Sequence, residues 1–374
     1  MDKKFKKYLI ATFLIVILII VSVFLIGLIF KKGEISNNIK IKKSTLSDEK
    51  KKCLNYNYEI PNNINVLDII SEKEVAIEED NQLKSYNVES KEYKKIVDIN
   101  KGFKVNKVSV FNKGIIWCEN REKPKIETKI YIKYFKDDKI NLLDESNEEI
   151  LPDMSVSQKY LTYYIVNENK INIKIFNLED NKKETIASYN FKNGNDTTYV
   201  SLPNTNDKNV VWSYSIKEKS NIFKYNIQRK EIETLPTNNV ILFNPVIKDN
   251  RIIAIKRNDF FDKQFNISYG SNYIVEYDYD KKDWYKFLES KVDNYIKDPK
   301  ECVIALSSQK SSLLYCLSTF SLERCIYDFS TDKIISLTNE KYIITNIFTV
   351  KDKVILYRAK DFEGNKSNFI YIVK

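Results

Sequence analysis

One unit recurs along most of this chain: an apolar strand ending in an aromatic residue followed by Asn or Asp, a polar turn, and a second strand closing on Ile or Leu. The copies read LKSYNVESKEYKKIV, IKIFNLEDNKKETIA, IFKYNIQRKEIETL, IVEYDYDKKDWYKFL and RCIYDFSTDKIISLT, with a degenerate copy at IYIKYFKDDKINLL. With Tyr86, Tyr134, Phe176, Tyr225, Tyr277 and Tyr327 as markers, the spacings are 48, 42, 49, 52 and 50, and Tyr371 follows 44 later. A second hairpin recurs upstream, as VFNKGIIWCE, VSQKYLTYYI, TNDKNVVWSY, IKDNRIIAIK and TVKDKVILYR. From about residue 64 the chain carries short runs of Ile, Val, Tyr and Phe bounded by Asn, Asp and Lys, without a long stretch of helical period; this is an all-β pattern. Each unit therefore holds four strands, a to d, joined by polar turns.

A period in the forties to low fifties with four strands per unit predicts a β-propeller. A β-sandwich is the structural alternative, but it does not require so regular a register in sequence. The unit resembles the repeat of TolB-like propellers and their bacterial relatives, in which an IYxxD-turn-xxLT hairpin closes each blade; CIYDFSTDKIISLT, Cys325 to Thr338, is the copy that carries this. The resemblance covers roughly residues 64 to 374. The S-P-D-G turn of those families stands here only as NKG, SQK, KDN or VKDK, so the resemblance implies architecture and not activity. Blades fall near 64 to 98, 103 to 144, 152 to 188, 197 to 236, 243 to 288, 296 to 338 and 342 to 374. Seven is the count, with six or eight as alternatives. The last unit lacks its outer strand, and CLNYNYEI, Cys53 to Ile60, is placed to supply it and close the ring, removing the exposed edges of an open sheet.

The N-terminus is organised differently. Tyr8 to Phe30 is 23 residues without a charge, about 34 Å of helix, which spans a bilayer. A cleaved signal peptide has a shorter apolar core followed by small residues. The expected organisation is a cytoplasmic tail at 1–7, a transmembrane signal anchor at 8–30 that contacts membrane lipid, a basic stalk at 31–52 and a propeller ectodomain at 53–374. Lysines flank both ends of the anchor, and long domains translocate largely regardless of flanking charge. The reading adopted places the N-terminus inside and the propeller outside the cytoplasm.

The chain carries 61 Lys and Arg against 51 Asp and Glu. Residues 1–52 hold 12 of those lysines and 4 of those acids. The remainder is left with 49 basic and 47 acidic residues by subtraction. A near-neutral ectodomain argues against nucleic acid as a partner, which needs a concentrated basic surface. The basic stalk suits anionic headgroups or wall polymers, or is simply a solvated linker.

There is no histidine. That excludes Ser-His-Asp and Cys-His nucleophile systems and histidine metal ligands together. Two S-x-x-K matches, at Ser47 and Ser307, lack the helical setting of that motif. EYDYDKKDWYKFL, Glu276 to Leu288, has lysines where a calcium loop needs oxygen ligands and no glycine at the turn. Asp278 and Asp280 would share a strand face, but Asp278 aligns with Asn87, Asn177, Asn226 and Asp328, which favours a hairpin role. No catalytic residue, metal ligand or cofactor is assigned. The five cysteines are Cys53, Cys118, Cys302, Cys316 and Cys325. If a hairpin turns at Phe320 and Ser321, Cys316 faces Cys325, and a cross-strand disulfide is possible; buried free thiols are the other reading.

In a propeller the a–b and c–d turns share one face and the b–c and d–a connections the other. The latter are the irregular ones here: 121 to 128, 189 to 199 and 257 to 272. Variable loops on a rigid scaffold are where binding concentrates. The last offers Arg257, Phe260, Phe261, Phe265 and Tyr269 as a candidate aromatic contact patch. The sequence thus suggests a non-enzymatic binding or scaffolding module for an envelope protein or glycan. The alternatives are a carboxylate-based lyase or hydrolase of surface polysaccharide, and a sensory or regulatory membrane subunit.

Overall fold

The structure is a computed structural model that describes residues 58–121, 125–148, 154–167, 169–190, 198–216, 219–238, 240–262, 267–286, 302–306, 313–318, 324–328, 333–336, 343–351, 354–361 and 363–372. The tail, anchor and stalk read from residues 1–52, and Cys53, lie outside these. Among the described residues no helix is long and apolar enough to cross a membrane, and every regular element is a strand.

The described chain opens with β1 (Tyr58–Ile60). A first sheet follows from β2 (Asn65–Ser71), β3 (Glu74–Glu79), β4 (Gln82–Asn87) and β5 (Tyr93–Asp98). The second holds β6 (Lys104–Phe111), β7 (Gly114–Arg121), β8 (Glu127–Tyr134) and β9 (Ile140–Ser146). The third holds β10 (Met154–Val156), β11 (Tyr160–Asn167), β12 (Lys170–Asn177) and β13 (Lys183–Asn190). In the fourth, β14 (Thr198–Val200) and β15 (Asn204–Thr205) both pair with β16 (Asn209–Ile216), followed by β17 (Lys219–Asn226) and β18 (Glu231–Leu235). The fifth holds β19 (Ile241–Lys248), β20 (Arg251–Asp262), β21 (Ile267–Asp278) and β22 (Asp283–Lys286). The sixth holds β23 (Cys302–Leu306), β24 (Leu313–Ser318), β25 (Arg324–Asp328) and β26 (Lys333–Ser336). The chain ends with β27 (Ile343–Lys351), β28 (Val354–Lys360) and β29 (Lys366–Ile372).

These strands make seven antiparallel sheets among the described residues, six of four strands and one of five. Their boundaries follow the sequence repeat. β1 completes the last sheet, as the ring-closure reading expects: Tyr58 pairs Ile370, Glu59 pairs Phe369 and Ile60 pairs Asn368. Innermost strands succeed one another as β2, β6, β10, β15, β19 and β23, and β27 lies beside β2.

The core lies between neighbouring sheets. Ala76, Leu83, Val110 and Trp117 fill the junction of the first and second. Ile132, Tyr163, Ile173 and Trp212 run through the second, third and fourth. Val211, Leu242, Ile252 and Trp284 join the fourth to the fifth. Ile60, Ile69, Leu356 and Ile370 join the last to the first. Strand alternation produces this, because successive side chains go to opposite faces and each face meets a different neighbour. Second strands such as β7, β11 and β16 are buried on both faces and carry near-continuous apolar runs, whereas outer strands such as β13 and β18 stay largely exposed.

The c–d turns show why the marker aromatic is followed by Asn or Asp. Asn87 Oδ1 accepts from the Glu89 and Ser90 N–H groups, Asn177 Oδ1 from Glu179, Asn226 Oδ1 from Arg229, and Asp278 Oδ1 from Asp280 and Lys281. A short polar side chain thus satisfies turn donors that a strand partner cannot reach. Four positions later the backbone turns left-handed at Lys91, Asn181, Lys230 and Lys282. Marker aromatics Tyr86, Phe176, Tyr225 and Tyr277 are all buried beside these turns. One a–b turn needs its glycine for a different reason: a Cβ on Gly114 would stand 2.3 Å from the Lys133 carbonyl oxygen.

Candidate functional site

The face carrying the b–c and d–a connections was expected to hold irregular loops. At 121 to 128 and 189 to 199 strands enclose shorter connections than the sequence suggested, since Arg121 pairs Glu127 and β13 reaches Asn190. The segment 257 to 272 requires a larger correction. β20 and β21 stay paired through Arg257–Asn272, Asn258–Ser271, Asp259–Gly270, Phe260–Tyr269, Phe261–Ser268 and Asp262–Ile267. β19 pairs β20 only as far as Arg257, and β22 pairs β21 only as far as Val275. The last five pairs therefore form a two-stranded ribbon that runs on past the sheet partners described for it.

Alternation explains why this was misread. Phe260 and Phe261 look like loop aromatics in a run of charges, but aromatic residues favour paired strands. Register places Phe260 opposite Tyr269 on one face of the ribbon and puts Arg257 and Phe261 on the other. The candidate patch is thus divided between two faces. Phe265 lies outside the described residues.

A concavity on the opposite face was not anticipated. Between the third and fourth sheets lies a groove of about 460 Å3, lined by Tyr160, Lys183, Glu184, Tyr225, Ile227 and Lys230 among others. Its lining comes from two c–d turns and the start of β11. Lys230 Nζ reaches across to Glu184 at 3.1 Å, and that hydrogen bond, with the carboxylate charge, raises the lysine pKa. Burial raises the Tyr225 phenol. The sequence signal was present in the recurring lysines of these turns, but a turn read alone does not show which neighbour it meets.

Buried charges elsewhere are satisfied by the fold itself. Glu119 accepts from Trp117 Nε1 at 2.8 Å and from Asn100 Nδ2 at 2.6 Å. Arg251 binds Glu276 through two parallel bonds of 2.8 and 2.9 Å. Asp144 takes Lys174 Nζ at 2.5 Å and the Tyr163 hydroxyl at 2.9 Å. Burial alone would push the Asp144 carboxyl up; the Lys174 hydrogen bond and charge, with Lys183 and Tyr163, outweigh it and hold the carboxyl below its usual range. Asp280 is in the turn rather than on a strand face with Asp278. The Lys281 hydrogen bond, with backbone donors, lowers the Asp278 carboxyl. Among the described residues no group of three or more His, Cys, Asp or Glu could hold a metal ion.

No protein-family model matches the sequence, and a search of the curated proteins finds no match. Solved structures do match. A prolyl endopeptidase superposes at a TM-score of 0.55 with 11% identity, over 80% of this chain and 46% of that one. The β-propeller domain of the Trilobed protease from Pyrococcus furiosus superposes at 0.54 with 13% identity, over 82% of this chain and 95% of that domain. The fold is a β-propeller. The chain spans less than half the length of the prolyl endopeptidase, so the match concerns the propeller fold alone. TolB from Acinetobacter baumannii also matches, at a TM-score of 0.43 with 14% identity over 83% of this chain and 80% of that one. The Pyrococcus domain is described as an open velcro; in this propeller β1 pairs with β29.

Proposed function

We propose that this chain is a seven-bladed propeller, held outside the cytoplasm by a transmembrane anchor at residues 8–30, that binds an envelope protein or glycan. The observation that carries the binding role is the β20–β21 ribbon. Five residue pairs extend it beyond β19 and β22. Main-chain donors and acceptors along such edges are a template for a partner's extended segment, and its aromatics supply contact area on either face. Lysine, the usual guard against edge pairing, is absent from 258–262 and 267–272 in a chain otherwise rich in it.

The anchor reading rests on the uncharged run from Tyr8 to Phe30. β1 enters as an outer strand, running from the a–b and c–d turn face to the opposite one. Tyr58, the first described residue, therefore stands at the turn face, while the ribbon belongs to the other.

The test replaces residues 258–271 by Asn-Gly, the preferred two-residue hairpin connection. Cross-linking in intact cells should capture an envelope component with the wild type and lose it with the shortened hairpin, at unchanged melting temperature. Equal capture by both would remove the ribbon from the site. Turnover of surface polysaccharide by the wild type would favour the carboxylate-based enzyme instead. A cysteine introduced into the stalk should react with an impermeant maleimide before lysis; reaction only after lysis would place the propeller in the cytoplasm.

A further inference from the structure

The sixth sheet brings three of the five cysteines together. Cys316 on β24 and Cys325 on β25 are direct cross-strand partners, and Cys302 on β23 is the partner of Ser318. Ile304 is the partner of Cys316. Cys302 is two positions from Ile304 and so falls on the same sheet face as Cys316 and Cys325, one diagonal step from Cys316.

Spacing separates the possible pairings. Direct antiparallel partners have Cα atoms about 4.5 to 5.5 Å apart, inside the window of about 4.4 to 6.8 Å that a disulfide requires. Diagonal neighbours stand about 7 to 8 Å apart, at or beyond its limit. Cys302 and Cys325 are separated by two strand intervals, about 10 Å. The register therefore selects one pair from three thiols.

We propose that Cys316 and Cys325 form a thiol–disulfide site, closing a cross-strand bond between β24 and β25 while Cys302 remains a thiol. The oxidant is a low-molecular-weight disulfide. One cysteine thiolate attacks it, forms a mixed disulfide and releases one small thiolate. The second cysteine thiolate then attacks the protein sulfur of that mixed disulfide and expels the other. Two protein thiols lose two protons and two electrons, and the small disulfide leaves as two thiols. The bond staples the b–c hairpin of this sheet.

The experiment uses the wild-type full-length chain equilibrated with oxidised glutathione, denatured, and labelled with maleimide before and after reduction. Two of the five thiols should be protected before reduction and recovered after it. Trypsin places the three cysteines in separate peptides, 301–310, 311–324 and 325–333. Mapping should join 311–324 to 325–333. Cys316→Ser and Cys325→Ser should each return the partner thiol to labelling, while Cys302→Ser leaves the bond intact. Five thiols labelled without reduction, or 301–310 joined to either other peptide, would overturn the proposal. Because the reaction is run on purified protein, its outcome is independent of whether the chain is exported.

Discussion

Asp68 Oδ2 accepts a hydrogen bond from the Val110 N–H at 2.9 Å, so a carboxylate on one innermost strand holds the backbone of the next. The relationship recurs with different residues. Asn204 Oδ1 accepts from the Ile247 N–H at 3.0 Å, and Ser155 Oγ accepts from the Thr205 N–H at 3.4 Å. Inner strands of separate sheets cannot share a ladder, and buried N–H groups facing a neighbour need an acceptor. Asp68→Ala should therefore cost about 1 to 3 kcal/mol, the penalty for leaving a buried donor unmet. Asp68→Asn keeps an acceptor and should cost less. Denaturant unfolding of the two variants separates them; equal losses would mean the carboxylate charge, not the bond, matters there.

The Asp144 group makes a second prediction, about charge. Lys174 is 14% and Asp144 10% exposed at the side chain, so removing either partner strands the other in a poorly solvated place. Asp144→Ala should cost about 3 kcal/mol, whereas the combined change Asp144→Leu, Lys174→Met and Tyr163→Phe, which leaves neither the lysine nor the buried hydroxyl unmet, should recover most of that loss. Because the folded carboxyl is depressed, its contribution is complete above the unfolded value of about 3.9 and disappears as pH falls through the folded value. The stability gap between wild type and Asp144→Asn, measured by urea unfolding, should therefore shrink below about pH 4. A gap that widened in acid would contradict the sign of the shift.

The turns provide a gain rather than a loss. Lys91 adopts φ of 60°, a conformation that costs an L-residue with a Cβ about 1 to 2 kcal/mol. Glycine carries no such penalty but adds freedom to the unfolded chain, which offsets part of the gain. Lys91→Gly should raise stability by about 0.5 to 1 kcal/mol in thermal or urea unfolding. The same change at Val88, buried and without a left-handed backbone, should lower it.

These turns were also the most legible part of the chain. Asn87, Asn177, Asn226 and Asp278 hold one position in the repeat and each accept from turn N–H groups two or three positions on, so local chemistry repeated in sequence became local chemistry repeated in space. Sheet boundaries and the closing role of β1 followed from the same register. The ribbon was misread for a physical reason. Phe260 and Tyr269 are partners, but a chain read linearly does not say that two segments flanking the tetrapeptide KQFN stay in register. The groove at Tyr160, Glu184 and Lys230 was out of reach because its walls come from different repeats, and only the packing of one blade on the next brings them together.

Closure gives the last prediction. β1 is three residues long, yet it is the outer strand of its sheet, and Ile60 is fully buried among Ile69, Leu356 and Ile370. Ile60→Ala should cost about 2 to 5 kcal/mol, from lost apolar burial and the cavity left behind. Deleting residues 1–57 keeps β1, whereas deleting 1–60 removes it and exposes β29 as the outer edge of the last sheet. The longer deletion should therefore melt lower and self-associate, measured by thermal unfolding and light scattering on matched samples. If both deletions melt together and stay monodisperse, the ring is held by packing between sheets and the β1–β29 pairing is dispensable. The three residues are then a tether rather than a latch.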